Sequence, residues 1–105
     1  MEIQKPGDER SIYQKEIQQG VKIFQESFKG LQETKKFPEK KMEYEKAMDE
    51  SLQAIQDAAS ALMNQKLIQM KEQLSKDYHV YLDDPTNQNA EKVDKDLDSL
   101  RESTK

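Results

Sequence analysis

The chain has 105 residues, which is the size of one domain, and a multi-domain enzyme is therefore excluded. Its 17 Lys and Arg residues against 21 Asp and Glu residues give a formal net charge of -4, and this mixed charge argues against a nucleic-acid-binding protein. Because the chain has no Cys, disulfide scaffolds, thiolate zinc sites and cysteine nucleophiles are also excluded.

The first residues of the sequence contain no apolar run before Pro6. This pattern resembles neither a signal peptide nor a membrane anchor. A bilayer-spanning helix needs about 18 or more consecutive apolar residues, and the sequence has no such run. We therefore expect a cytoplasmic protein, or one exported by a route that needs no signal peptide, with residues 1–8 as a flexible arm.

Three prolines, Pro6, Pro38 and Pro85, divide the chain into a short arm and three long segments. With only three Gly residues in addition, the sequence lacks the turn formers of a fold built from many short strands. The first long segment predicts a helix over about 9–35. Its apolar residues recur at steps of three and four, which is a helical stripe; they are Ile17, Val21, Phe24, Phe28 and Leu31.

The second segment predicts one long central helix over 38–82. Pro38 suits the first turn of a helix because its missing N–H would have no partner there. The apolar stripe of this helix changes register between Leu62 and Leu67, a step of five residues that rotates it by roughly 140° around the helix. The Asp-Pro-Thr sequence after residue 82 ends the central helix, and a third helix follows over 86–103 with Ala90, Val93, Leu97 and Leu100 on one face.

These segments predict a single all-α domain covering residues 1–105. The main prediction is three antiparallel helices, a long central helix flanked by two shorter ones in a coiled-coil-like hairpin arrangement. The alternative is a four-helix bundle in which the central helix is broken near Asn64.

A zone of low charge, between Leu52 and Met70, predicts an interface. Only Asp57 and Lys66 are charged in this stretch, and its small side chains would let another backbone come close. The zone is either the place where the outer helices converge or a surface that binds a partner protein or a second copy of the chain. The residues predicted to bind the partner are Ala58, Ala59, Leu62, Met63, Leu67 and Met70.

The chemistry-bearing residues form no catalytic pattern. His79 is the single histidine, and an enzyme that uses it is a minor alternative; a role in complementing the helix dipole is favoured. Tyr78 and Tyr81 fit the packing stripe better than a recognition cluster. The alternation of Asp94, Asp96 and Asp98 resembles the start of an EF-hand loop, but the required Gly and the final Glu are missing. We therefore expect no catalytic residues, cofactor, metal ion or small-molecule substrate.

A second electrostatic feature is a Lys-rich tip between the first two helices, formed by Lys35, Lys36, Lys40 and Lys41. The favoured function is a small chaperone, adaptor or assembly subunit that binds a partner helix through an apolar stripe. The alternative is an electrostatic adaptor that uses this tip to bind an acidic partner.

In size, acidity and hairpin layout the chain is similar to the small helical chaperones and needle-associated subunits of type III secretion. No motif residue is shared with them, so the similarity is one of architecture and does not imply a function. The secreted WXG-type hairpins are excluded because the sequence has no Trp for their Trp-x-Gly turn.

Overall fold

The computed structural model describes residues 6–33 and 38–104, which form four α-helices. Helix α1 comprises Pro6–Glu33, α2 Pro38–Ala61, α3 Gln65–Asp83 and α4 Asn87–Ser103. The predicted all-α class is confirmed. The predicted count of three helices is wrong, because the central helix is divided into α2 and α3, as in the alternative with a break near Asn64.

The break between α2 and α3 has a defined hydrogen-bonding pattern. The backbone N–H of Met63 donates to Ser60 O at 2.9 Å, and that of Asn64 donates to Ala59 O at 3.1 Å. With Met63 in the left-handed region at φ 55°, this is a Schellman motif. Asn64 Oδ1 then accepts from Leu67 N at 3.1 Å and caps the start of α3. The two apolar stripes, which point in different directions, are thereby folded onto one core.

The helix ends differ from the predictions in small ways. Helix α1 begins at Pro6, so the predicted arm over 1–8 is wrong for its last three residues. Residues 1–5 and the predicted turn near residues 34–37 lie outside the described residues. Helix α4 agrees with its predicted bounds, and the side chain of Thr86 accepts from Asn89 N at its N-terminus.

The four helices form an up-down-up-down bundle. Each helix packs against its neighbour along the chain, and α1 also packs against α4, which leaves α1 diagonal to α3 and α2 diagonal to α4. At the far end of α4, Gln18 Nε2 donates to Thr104 O at 2.6 Å. Across the bundle, the ring of Phe24 meets that of Tyr78 edge-on, with 5.3 Å between centroids.

The core is built from the predicted apolar stripes of all four helices. It is closed at the C-terminus by Thr104, whose buried hydroxyl donates to Leu100 O at 2.9 Å. The buried apolar residues are Ile17, Val21, Phe24, Phe28, Leu31, Met48, Leu52, Ile55, Ala58, Ala59, Leu67, Leu74, Tyr78, Tyr81, Ala90, Val93, Leu97 and Leu100.

Candidate functional site

The six residues predicted to bind a partner do not share one outer surface. Ala58, Ala59 and Leu67 are buried in the core of the chain itself. Leu62 and Met70 are half-buried, and Met63, with 88% of its surface exposed, is accessible at the α2–α3 turn. A partner could reach the three buried residues only if the α1–α2 hairpin separated from the α3–α4 hairpin.

The other candidates from the sequence take ordinary places in the helices. His79 is exposed, and its Nδ1 lies 2.7 Å from Ser75 O in the preceding turn. Tyr78 and Tyr81 are both core residues. Of the lysines in the predicted tip, Lys40 and Lys41 are exposed, whereas the other two lie outside the described residues. Within residues 6–33 and 38–104, no group of three His, Asp or Glu side chains could hold a metal ion.

The carboxyl group of Asp96 has an unusual environment between α3 and α4. Its Oδ2 atom is buried and has no hydrogen-bond partner in the described part of the chain. Burial, together with a hydrogen bond to Asp77 and the negative charge of that residue, raises the pKa of Asp96 to about 7. Two carboxyl groups in contact favour a shared proton. Because Asp77 belongs to α3 and Asp96 to α4, this pair joins the two helices.

A concave surface lies between α1 and α2 on their outer face. We call it the α1–α2 groove, and its cavity volume is about 420 Å³. The α1 residues that line the groove recur every three or four positions and therefore share one face of that helix. The same is true of the lining residues of α2. The lining residues are Glu16, Gln19, Gly20 and Ile23 from α1, and Ala47, Glu50, Ser51, Ala54 and Asp57 from α2.

The floor of the groove is made of small residues because the two helices approach closely there. A Cβ atom added to Gly20 would lie 2.7 Å from Ile55 Cγ1 and 3.3 Å from Ser51 O, so only glycine fits without a shift of its neighbours. Ala47 and Ala54 continue the floor along α2. Small side chains therefore form the part of the groove that lies between α1 and α2.

Two large apolar side chains stand exposed along this face of α1. Ile12 is 51% exposed and Ile23 is 47% exposed. They are eleven residues apart, which at about 100° per residue brings them back to nearly the same side of the helix, about 16 Å apart along its axis. Ile23 is part of the groove lining, whereas Ile12 lies outside it on the same side of α1.

The charged side chains that line the groove are all acidic. Glu16 lies on the α1 side, and Glu50 and Asp57 lie on the α2 side. The ion pairs found among the described residues join Lys41 to Glu45 and Arg101 to Asp98, so none of the three groove carboxylates has a cationic partner within the described chain. The groove thus combines a floor of small residues with three carboxylates that form no ion pair among the described residues.

Sequence reasoning missed the groove, although signals for it were present. Gly20 lies beside the core stripe of the first helix, and Ile12 and Ile23 lie outside that stripe at helical spacing. On the second helix, Ala47 and Ala54 are seven residues apart. These residues become one surface only when the antiparallel register of α1 and α2 is known.

Comparisons of this chain with protein-family models, with curated proteins and with solved structures found no match. Among the described residues, no helix has the length and apolar character needed to cross a membrane.

Proposed function

We propose that the chain is a non-enzymatic protein-interaction module that binds a helix of a partner protein in the α1–α2 groove. Such a module would work as a small chaperone, adaptor or assembly subunit. The observation that carries the proposal is the open groove of about 420 Å³, with the exposed side chain of Ile23 in its lining. An amphipathic helix that lays its apolar face into a groove is a common mode of peptide recognition.

The shape of the groove favours a helix over an extended segment. Its two walls are helices, and its floor is formed by small residues such as Gly20 and Ala54. Helices with small residues at the contact pack at the short end of the usual range of about 8–10 Å between axes. An extended strand would gain no backbone hydrogen bonds here, because the backbone groups of α1 and α2 are already paired within their helices.

This proposal replaces the low-charge zone predicted from the sequence as the contact surface. Three of the residues predicted there belong to the core, whereas most of the residues that line the groove, Ile23 and Ala54 among them, are exposed in the folded chain. The alternative contact at the Lys-rich tip receives less support, since Lys41 Nζ already lies 4.0 Å from Glu45 Oε2.

Site-specific photo-cross-linking in cells tests the proposal. A benzophenone amino acid placed at position 23 should form a discrete adduct with a partner protein, because Ile23 borders the groove. The matched control is the same amino acid at position 80. Val80 is exposed to a similar extent, 42% against 47% for Ile23, but lies on α3. No adduct is expected from position 80.

A second variant shows whether the adduct depends on the groove. Ala54→Trp fills the floor with a large side chain at an exposed position, so the fold should be retained while the partner helix is displaced. Circular dichroism verifies the fold. Loss of the position-23 adduct in the Ala54→Trp background supports the proposal. Absence of an adduct from position 23 in the unblocked chain, or its persistence in the blocked one, overturns it.

A further inference from the structure

We infer that the helix bound in the α1–α2 groove is basic, with a stripe of small and apolar residues flanked by Lys or Arg at seven-residue intervals. This inference rests on the proposed function and adds to it the chemical class of the partner. It follows from three properties of the groove, namely its length, its row of carboxylates on α2 and the sign of the charges on both walls.

The length of the groove determines how much of the partner helix is bound. The two ends of the lining on α2, Ala47 and Asp57, are about 15 Å apart along the helix axis. A partner helix must therefore offer at least three turns, or about eleven residues, to contact both. Its contacting residues must be small where they cross Gly20 and Ala54, since the floor leaves room for a close approach.

The α2 wall carries a regular row of negative charges. Glu50 and Asp57 line the groove, and Glu43 lies seven residues before Glu50, so these three exposed carboxylates share one side of the helix at intervals of about 10.5 Å. Lys46 is also exposed on this side, between Glu43 and Glu50, and offsets part of their charge. A helix lying along the groove repeats its own side chains at the same interval, so three Lys or Arg residues at seven-residue spacing would each meet one carboxylate.

The α1 wall adds one further carboxylate to the groove, since Glu16 is the charged residue of α1 that lines it. Outside the lining, the outer side of α1 carries exposed charges of both signs, namely Lys15, Lys22 and Glu26. Like charges brought together across an interface cost several kcal/mol. This rules against a second copy of the chain that docks groove to groove, because such a dimer would place two acidic rims against each other. A partner of opposite charge removes that repulsion.

A synthetic helix tests the inference directly. The probe has about 18 residues, with an Ala and Leu stripe and three Lys residues at seven-residue intervals on its flank; the matched control carries Glu in place of each Lys. Fluorescence anisotropy with the full chain should show binding of the Lys peptide and at least ten-fold weaker binding of the Glu peptide. Between about 0.1 M and about 1 M salt, where the Debye length falls from about 10 to about 3 Å, the affinity for the Lys peptide should fall at least ten-fold.

Charge variants of the chain test whether this binding occurs in the groove. The triple variant Glu43→Gln, Glu50→Gln and Asp57→Asn should raise the Kd for the Lys peptide at least ten-fold. A control triple variant, Glu72→Gln, Asp83→Asn and Glu91→Gln, removes the same number of charges from exposed positions on α3 and α4, and should leave the Kd within two-fold.

The outcomes separate this inference from the proposed function. The inference is overturned if the Lys peptide does not bind, if the Glu peptide binds as tightly, or if both triple variants weaken binding equally. The proposed function survives those results as long as the position-23 adduct forms and is lost in the Ala54→Trp variant. If that adduct is absent, the proposed function fails first.

Discussion

Replacement of Gly20 by alanine tests the close packing beneath the groove. In a helix interior, Gly→Ala gains up to about 1 kcal/mol from helix propensity. Here the new Cβ would lie 2.7 Å from Ile55 Cγ1 and 3.3 Å from the backbone oxygen of Ser51. Ile55 is fully buried and cannot move aside, so overpacking should cost about 1–3 kcal/mol. We expect Gly20→Ala to lower the free energy of unfolding by about 1 kcal/mol.

Gly30 provides a matched control on the same helix. A Cβ added there would lie 2.6 Å from Tyr44 Cζ and 2.7 Å from Tyr44 Cε1. These atoms are at the far end of a half-buried side chain, which can turn toward solvent. Gly30→Ala should therefore keep most of its propensity gain and leave the free energy of unfolding unchanged or raised by up to about 1 kcal/mol.

Urea denaturation followed by circular dichroism measures both variants. The two should differ by about 1–2 kcal/mol, which for a domain of this size is a difference of roughly 4–16 °C in Tm. In an Ile55→Ala background, the cost of Gly20→Ala should be smaller, because the clashing Cγ1 atom is gone and only the contact with Ser51 O remains. The reasoning is refuted if Gly20→Ala is as stable as Gly30→Ala, or if its cost is the same in both backgrounds.

Three further changes probe the core, the turn and the α3–α4 contact. Phe24→Ala should cost about 3–5 kcal/mol of unfolding free energy, whereas Ile23→Ala, at a half-exposed position, should cost less than about 1 kcal/mol; equal costs in urea denaturation would contradict the assigned core. Met63→Gly should raise the free energy of unfolding by about 0.5–1 kcal/mol, because glycine adopts the left-handed conformation without strain, and a loss of stability would argue against the assigned turn. Since the pKa of Asp96 is raised from 3.8 to about 7, its proton stabilises the folded chain at low pH, and this contribution is lost as the pH rises toward 7. Asp96→Asn should therefore stabilise the chain by about 1 kcal/mol at pH 8, allowing for solvent screening, and have little effect near pH 4; an effect independent of pH would contradict the carboxyl pairing.

The sequence was sufficient to predict the helical class and most of the core. Apolar residues that recur every three or four positions identify the buried faces of α1 and α4, because each of these helices packs on one side. Residues such as Phe24 and Leu97 are buried as expected. The change of apolar register after Leu62 was also visible in the sequence, and it is the physical reason for the break.

Whether the central helix breaks there could not be settled in the same way. No Gly or Pro interrupts residues 39–84, so local propensity favours one continuous helix. The chain instead turns at Met63, whose backbone is in the left-handed conformation. For a residue other than glycine, this conformation costs about 1–2 kcal/mol. Burial of two differently oriented apolar stripes in one core offsets that cost. Such a balance depends on tertiary packing, which a single-sequence pattern does not contain.

The partner-binding surface predicted from the sequence and the groove proposed from the structure lie in different places. Low charge density indicated the region around Ala58 and Leu67, and low charge is equally characteristic of a core. The groove is less apolar along the sequence, since Glu16, Glu50 and Asp57 interrupt it. Its continuity appears only across two antiparallel helices.

The order of the helices in the bundle also has a consequence for how the chain folds. Helices that follow each other along the chain are neighbours in space, whereas the contact between α1 and α4 joins segments far apart in sequence. Folds rich in local contacts cross their folding barrier in microseconds to milliseconds. The α1–α2 and α3–α4 hairpins can each collapse before their ends meet, so the α1–α4 contact, which includes the bond from Gln18 to Thr104, should form last. Substitutions along that contact should therefore accelerate unfolding while leaving the folding rate almost unchanged.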